Sequence, residues 1–122
     1  MKTDIHILLV DDFKLMLTVC SKILNGIGFE HIGIAYNGKE AWDRLQSEEF
    51  DLLITDWDMP EMDGGELIAM VRQDPRLKEL PILVITGEVS FRDQALEVGA
   101  NSALIKPFYE VDLRETLESM LS

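Results

Sequence analysis

Five short apolar runs, at residues 5–10, 32–36, 52–55, 82–86 and 103–105, recur along the chain with helix-period segments between them. This alternation constrains the fold more than any other feature. Several runs are apolar on both faces and rich in Ile, Val and Leu, as strands buried in a parallel sheet are. The second is broken by Gly33 and reads as an edge strand. The clearest helical pattern is Met16, Val19, Cys20, Ile23 and Leu24, an apolar stripe on one helix face, with Asn25-Gly26 and Gly28 as its stop signal. Shorter patterns follow at Ala41, Trp42 and Leu45; at Leu67, Met70 and Val71; at Ala95, Leu96 and Val98; and at Leu113, Leu117 and Met120 or Leu121. Strands alternating with helices predict an α/β fold: a single doubly wound, five-stranded parallel sheet with five helices. The pattern alone does not order the strands. With no linker, repeat or low-complexity tract, residues 1–122 are expected to form one domain.

Charge narrows the partners. Asp and Glu number 23 against 11 Lys and Arg, for a net charge of −12, which repels phosphate backbones and anionic membrane surfaces. Neither nucleic acid nor membrane is an expected partner. No apolar run approaches the roughly 20 residues of a membrane-crossing helix, and the N-terminus does not resemble a leader peptide. One cysteine, Cys20, cannot form an intramolecular disulfide, which fits a reducing cytoplasm. It lies on the apolar stripe and reads as a small core residue.

In an open parallel sheet the carboxyl ends of all strands share one edge, and ligands bind there. Here the strands end in Asp11-Asp12, in Asp56 followed by Trp57-Asp58-Met59-Pro60, in Thr86-Gly87-Glu88, and in Lys106-Pro107-Phe108. Carboxylates about 5 Å apart repel by roughly 3 kcal/mol per pair at an effective dielectric near 20. A cluster of Asp11, Asp12 and Asp56 therefore raises its own pKa values or recruits a cation. Few, hard oxygen ligands with room for water suit Mg²⁺, which favours a phosphate oxygen as partner. Lys106 is a mobile point charge, Thr86 a hydrogen-bond donor, and Gly87 a place where a backbone N–H can approach a ligand. Together these groups suit phosphoryl transfer to a carboxylate. Singly each has a plainer reading: Asp12 as a helix cap, Asp56 as a solvated strand-end acid, Thr86 as a strand residue, Lys106 as surface charge. Their convergence on one edge in successive units argues against the plainer set. His6 and His31 fall in separate strands and form no recognisable metal pair. Trp42 reads as core, whereas Trp57 follows Asp56 and should report on it optically.

Four segments together resemble the receiver domain of two-component response regulators, including its chemotaxis members. They are Leu8-Leu9-Val10-Asp11-Asp12, residues 51–64 around Asp56, Ile85-Thr86-Gly87, and Ile105-Lys106-Pro107-Phe108. The resemblance spans essentially the whole chain. It implies the flavodoxin-like strand order 2-1-3-4-5. It implies Asp56 as phosphoacceptor from a phosphohistidine on a sensor histidine kinase or histidine phosphotransfer protein. Mg²⁺ would be held by Asp12, Asp56 and the backbone carbonyl of Asp58, with Asp11 acting through water. Lys106 would pair with the phosphoryl oxygens, Thr86 would turn its hydroxyl to them, and the bond before Pro107 would be cis. Met59-Pro60 and Asp63-Gly64-Gly65 would shape the loop into the third helix.

Two departures from the family pattern stand out. Where members commonly carry Tyr or Phe three residues before the lysine, this chain has Ala103, so output would rely on the backbone of residues 86–91. Asp58 and Glu88 are both acidic, and read either as solvated rim charges or as groups that tune acyl-phosphate lifetime. Phe13, Leu15 and Leu17 lie off the helical stripe and, with Phe108 and Tyr109, suggest an exposed apolar rim for a docking partner. The expected function is a stand-alone phosphorylation switch that signals by binding an unidentified downstream protein, catalysing at most its own phosphorylation and dephosphorylation. The alternative is an aspartyl-phosphate phosphatase of the haloacid dehalogenase type, suggested by Asp56-Trp57-Asp58 after a hydrophobic strand.

Overall fold

Residues 1–121 are described by a computed structural model. The chain alternates without exception: β1 (His6–Val10), α1 (Lys14–Ile27), β2 (His31–Ala35), α2 (Gly38–Ser47), β3 (Leu52–Asp56), α3 (Gly64–Gln73), β4 (Ile82–Thr86), α4 (Phe91–Val98), β5 (Ser102–Ile105) and α5 (Glu110–Leu121). The strands form one sheet in the order β2-β1-β3-β4-β5, and each neighbouring pair is parallel. The Gly33 strand is indeed at an edge.

Successive strand side chains point to opposite faces, which divides the core in two. Leu8, Val10, Leu53, Ile82 and Val84 pack with Ala41 and Leu45 of α2, Leu67, Ile68 and Val71 of α3, and Ala95 of α4. Ile7, Leu9, Leu52, Ile54, Leu83 and Ile85 pack with Leu17, Cys20 and Leu24 of α1 and Leu113 and Leu117 of α5. Helices α2, α3 and α4 thus cover one face, and α1 and α5 the other. Fully burying one Leu or Ile contributes about 1.5–3 kcal/mol, so these two layers dominate the fold's stability.

Several expected faces are corrected. Leu17 is buried and Val19 is exposed, so the inward line of α1 runs through Leu17, Cys20 and Leu24. Both lines obey helical spacing, and the sheet selects the one that meets Ile7, Leu9 and Ile54. Leu96 is likewise exposed. Phe108 is half-buried against the α1/α5 layer, whereas Phe13, Leu15 and Tyr109 are exposed. Trp42 packs, partly buried, against the other layer. Helix α1 runs through Asn25-Gly26 and stops at Gly28, whose φ of 127° favours glycine. The Arg72 guanidinium fastens α3 to the turn before β5, donating to the carbonyls of Gly99 at 2.9 Å and Leu80 at 2.7 Å and to the Asn101 side chain at 3.0 Å.

Candidate functional site at the carboxyl edge of the sheet

Register brings the acids together. Val10 pairs with Thr55, so the residues that follow, Asp11 and Asp56, leave the sheet side by side. One carboxylate oxygen from each of Asp11, Asp12 and Asp56 lies within 4.8 Å of the others. Among the described residues, this is the one group of three or more metal-ligating side chains so placed. Asp12 does not cap α1: the N-cap position is Phe13, with no side-chain cap bond. Asp12 is exposed, and its carboxylate is available to the cluster.

Asp11 is buried and doubly engaged. Its Oδ1 accepts from the Phe13 N–H at 3.0 Å, and its Oδ2 accepts from Lys106 Nζ at 3.2 Å. Asp56, with a side chain 11% exposed, accepts at Oδ1 from the Trp57 N–H at 2.7 Å and at Oδ2 from Lys106 Nζ at 3.5 Å. Lys106 arrives because β5 pairs with β4 and its N–H donates to the Thr86 carbonyl at 2.8 Å. The Lys106–Pro107 peptide bond is cis. Burial pushes the Asp56 carboxyl above the usual carboxylate range; Lys106 opposes that shift and Asp11 adds to it. Burial also opposes the Lys106 charge, but Asp56 and Asp11 outweigh it and hold the ammonium above its ordinary pKa.

Three ionised carboxylates against one ammonium leave two negative charges unbalanced. A hard divalent cation matches both that charge and the all-oxygen donor set, and exposed Asp12 leaves a side open to water. The donor set therefore fits Mg²⁺.

Thr86 is buried, and its hydroxyl oxygen accepts from the Glu88 N–H at 3.2 Å. A Cβ added at Gly87 would meet nothing within 4 Å, so the space before that backbone is open. Asp58 and Glu88 are exposed at the rim. Ala103 is partly buried, pairs with Val84 and faces the α2–α4 layer. The loop after β3 is held tightly: Asp63 caps α3 by accepting from the Glu66 N–H at 2.8 Å, and any side chain at Gly64 would collide with the Asp56 carbonyl oxygen. Glu61 in this loop has φ of 67°.

Two juxtapositions went unread in the sequence. Phe91, the first residue of α4, stacks on Trp57 with ring centroids 5.9 Å apart and an interplanar angle of 30°. Its signal was an aromatic opening the helix after Thr86, with a second aromatic beside Asp56. His6 and His31 prove to be register partners whose rings stack 4.5 Å apart, at the opposite end of the sheet from the carboxylates.

A family model described as the response regulator receiver domain matches residues 7–118. The chemotaxis protein CheY of Pseudomonas aeruginosa is 42% identical over 117 residues, covering 93% of this chain and 94% of that protein. Among solved structures, the chemotaxis response regulator CheY4 of Vibrio cholerae is 35% identical with a TM-score of 0.89, covering 98% of this chain and 100% of that one. The receiver domain of the sensor histidine kinase PA1611 of Pseudomonas aeruginosa PAO1 is 25% identical with a TM-score of 0.87, covering 96% of this chain and 97% of that one.

Proposed function

The chain belongs to the response regulator receiver domain family, and on that premise we propose that Asp56 accepts a phosphoryl group from a phosphohistidine and that the phosphorylated chain signals by binding another protein. The observation that carries this is the convergence of three carboxylates within 4.8 Å, with Lys106 held on two of them. A carboxylate oxygen of Asp56 attacks phosphorus; the O–P bond forms as the N–P bond breaks, and the electron pair stays on the imidazole nitrogen. The Trp57 N–H fixes Oδ1 and with it the plane of the carboxylate. Lys106, already at Oδ2, moves onto the arriving phosphoryl oxygens. Thr86 accepts from Glu88 and so keeps its own hydroxyl proton free to donate to the same group. The open space before Gly87 admits the phosphoryl group beside a backbone N–H.

Asp12, Asp56 and the Asp58 carbonyl would hold Mg²⁺, with Asp11 acting through water. The ion supplies charge neutralisation at the acceptor and the transferring group. The PA1611 receiver, by its description, has a magnesium ion coordinated in its active-site cleft, which supports this. The partners are a sensor histidine kinase or histidine phosphotransfer protein on the input side and a downstream protein on the output side. Residues 1–122 act as one receiver unit, in the cytoplasm; no helix among the described residues is long and apolar enough to cross a membrane. The role is signalling rather than turnover. The family match sets the phosphatase alternative aside.

Incubation with a phosphohistidine donor and Mg²⁺ should give one acid-stable, base-labile phosphate per chain, absent in Asp56→Asn. Equal labelling of that variant would remove Asp56 from its role.

A further inference from the structure

Strand alternation sends the reacting groups and their neighbours to different faces. Asp11 and Asp56 continue the rows of Ile7 and Leu9 and of Leu52 and Ile54, on the α1/α5 side. Trp57 instead packs against the layer that contains α4, and so does Ala103. Thr86 continues the row of Ile82 and Val84 and already stands on the α4 side, so what phosphoryl chemistry at Asp56 still needs is a side-chain route across the sheet edge to α4. At position 103 the sheet offers only a methyl group on that side.

We infer that the Trp57–Phe91 stack is that route, with Phe91 the residue that couples the state of Asp56 to the position of α4. The inference rests on Asp56 being the phosphoacceptor. Trp57 is tied to Asp56 at its backbone, through the 2.7 Å bond from its N–H to Oδ1, and to α4 at its ring, through Phe91. The ring lies close over Gly65 on its α3 side, where an added Cβ would approach its edge to 2.9 Å, so glycine makes room for it there, and its aromatic neighbour is Phe91. Phe91 has a second link to the site: its N–H donates to the Glu88 carbonyl at 3.1 Å, and the Glu88 N–H donates to the Thr86 hydroxyl at 3.2 Å. The side-chain and backbone routes thus converge on one residue.

Esterification changes what Trp57 feels. A carboxylate is a charge-assisted acceptor; once Asp56 becomes a mixed anhydride, the negative charge moves out to the phosphoryl oxygens and the Trp57 N–H bond weakens. If the Thr86 hydroxyl turns to the phosphoryl group, the Glu88 N–H loses its acceptor in the same event. Both ties to Phe91 relax together. An offset aromatic pair carries a geometric preference that shifts a two-state ratio by roughly two- to tenfold, enough to bias α4.

The test compares wild type, Phe91→Leu, which removes the ring, and Phe91→Tyr, which keeps it. Each is loaded with Mg²⁺ and beryllofluoride as the phosphoryl mimic, and amide hydrogen exchange is followed over Phe91–Val98 alongside Trp57 emission. The expected result is a change in α4 exchange in wild type and Phe91→Tyr that is lost in Phe91→Leu, while Mg²⁺ affinity in Phe91→Leu stays within about twofold of wild type, since Phe91 touches none of the carboxylates. Phe91→Met serves the same purpose if Phe91→Leu does not fold. A full α4 response in Phe91→Leu overturns the coupling role and leaves the phosphoacceptor reading intact. No α4 response in wild type overturns the coupling role alone, whereas an undiminished one in Asp56→Asn overturns the phosphoacceptor reading and the coupling role with it.

Discussion

Replacing Asp56 by Asn deletes one charge from the cluster while keeping shape and an acceptor for the Trp57 N–H. With oxygens within 4.8 Å, Asp56 and Asp11 repel by about 3.5 kcal/mol at an effective dielectric near 20. Lys106 at 3.5 Å offsets that by about 5 kcal/mol on the same scale. Removal of the Asp56 carboxylate from water outweighs what Lys106 returns, and the charge of Asp11 adds to that cost, which is why its pKa sits above the usual range. A carboxyl whose folded pKa is raised opposes folding when ionised. Asp56→Asn should therefore stabilise the metal-free protein at neutral pH, each 1 kcal/mol gained reading as roughly 3–6 °C in melting temperature for a chain of this size. The gap should narrow as pH falls through the raised Asp56 pKa, because wild type then takes up the proton that removes the same charge. Mg²⁺ should narrow the gap from the other side: at tenfold excess over its dissociation constant it adds about 1.4 kcal/mol to wild type and less to the variant. Thermal melts followed by circular dichroism, in chelator and in Mg²⁺, decide the matter. A variant that melts at or below wild type in chelator would refute the claim that the buried, ionised Asp56 carboxylate opposes folding.

Glu61→Gly should raise stability by about 0.5–1 kcal/mol, seen as a higher urea midpoint at unchanged slope, because its φ of 67° disfavours a side chain. Leu17→Ala should lower stability by about 2–5 kcal/mol while Leu15→Ala changes it by less than about 0.5 kcal/mol, since Leu17 is 3% and Leu15 61% exposed; equal urea midpoints for the two would contradict the face assigned to α1. Burial pushes the Cys20 thiol up to about 11, so a thiol reagent at pH 8 should label it only at the rate of unfolding. Rapid labelling of the native protein would show that the α1/α5 layer opens.

How far the sequence reads depends on whether local chemistry or long-range packing selects the outcome. The third and fourth apolar runs became β3 and β4 with at most one residue added, because near-continuous Leu, Ile and Val can be satisfied only by burial on both faces. Asp11, Asp12, Asp56, Thr86 and Lys106 were legible for a related reason: parallel strands all end on one edge, so a polar residue that closes an apolar run must arrive there. The rotation of α1 was not legible. Leu17 and Val19 are both apolar and both fit a helical stripe, and only the side chains of β1 and β3 distinguish them.

Contacts between residues far apart in the chain lie beyond composition and period altogether. By itself the sequence determined the alternation of strands and helices, the edge strand broken by Gly33, and the set of charged groups delivered to the carboxyl edge, each set by short-range apolar patterning. Tertiary structure decided that Lys106 grips Asp11 and Asp56 at once, that the His6 and His31 rings stack, and that Trp57 meets Phe91. Those outcomes turn on strand register and helix docking, and the free energy that selects them is spread over both core layers rather than written in any one segment.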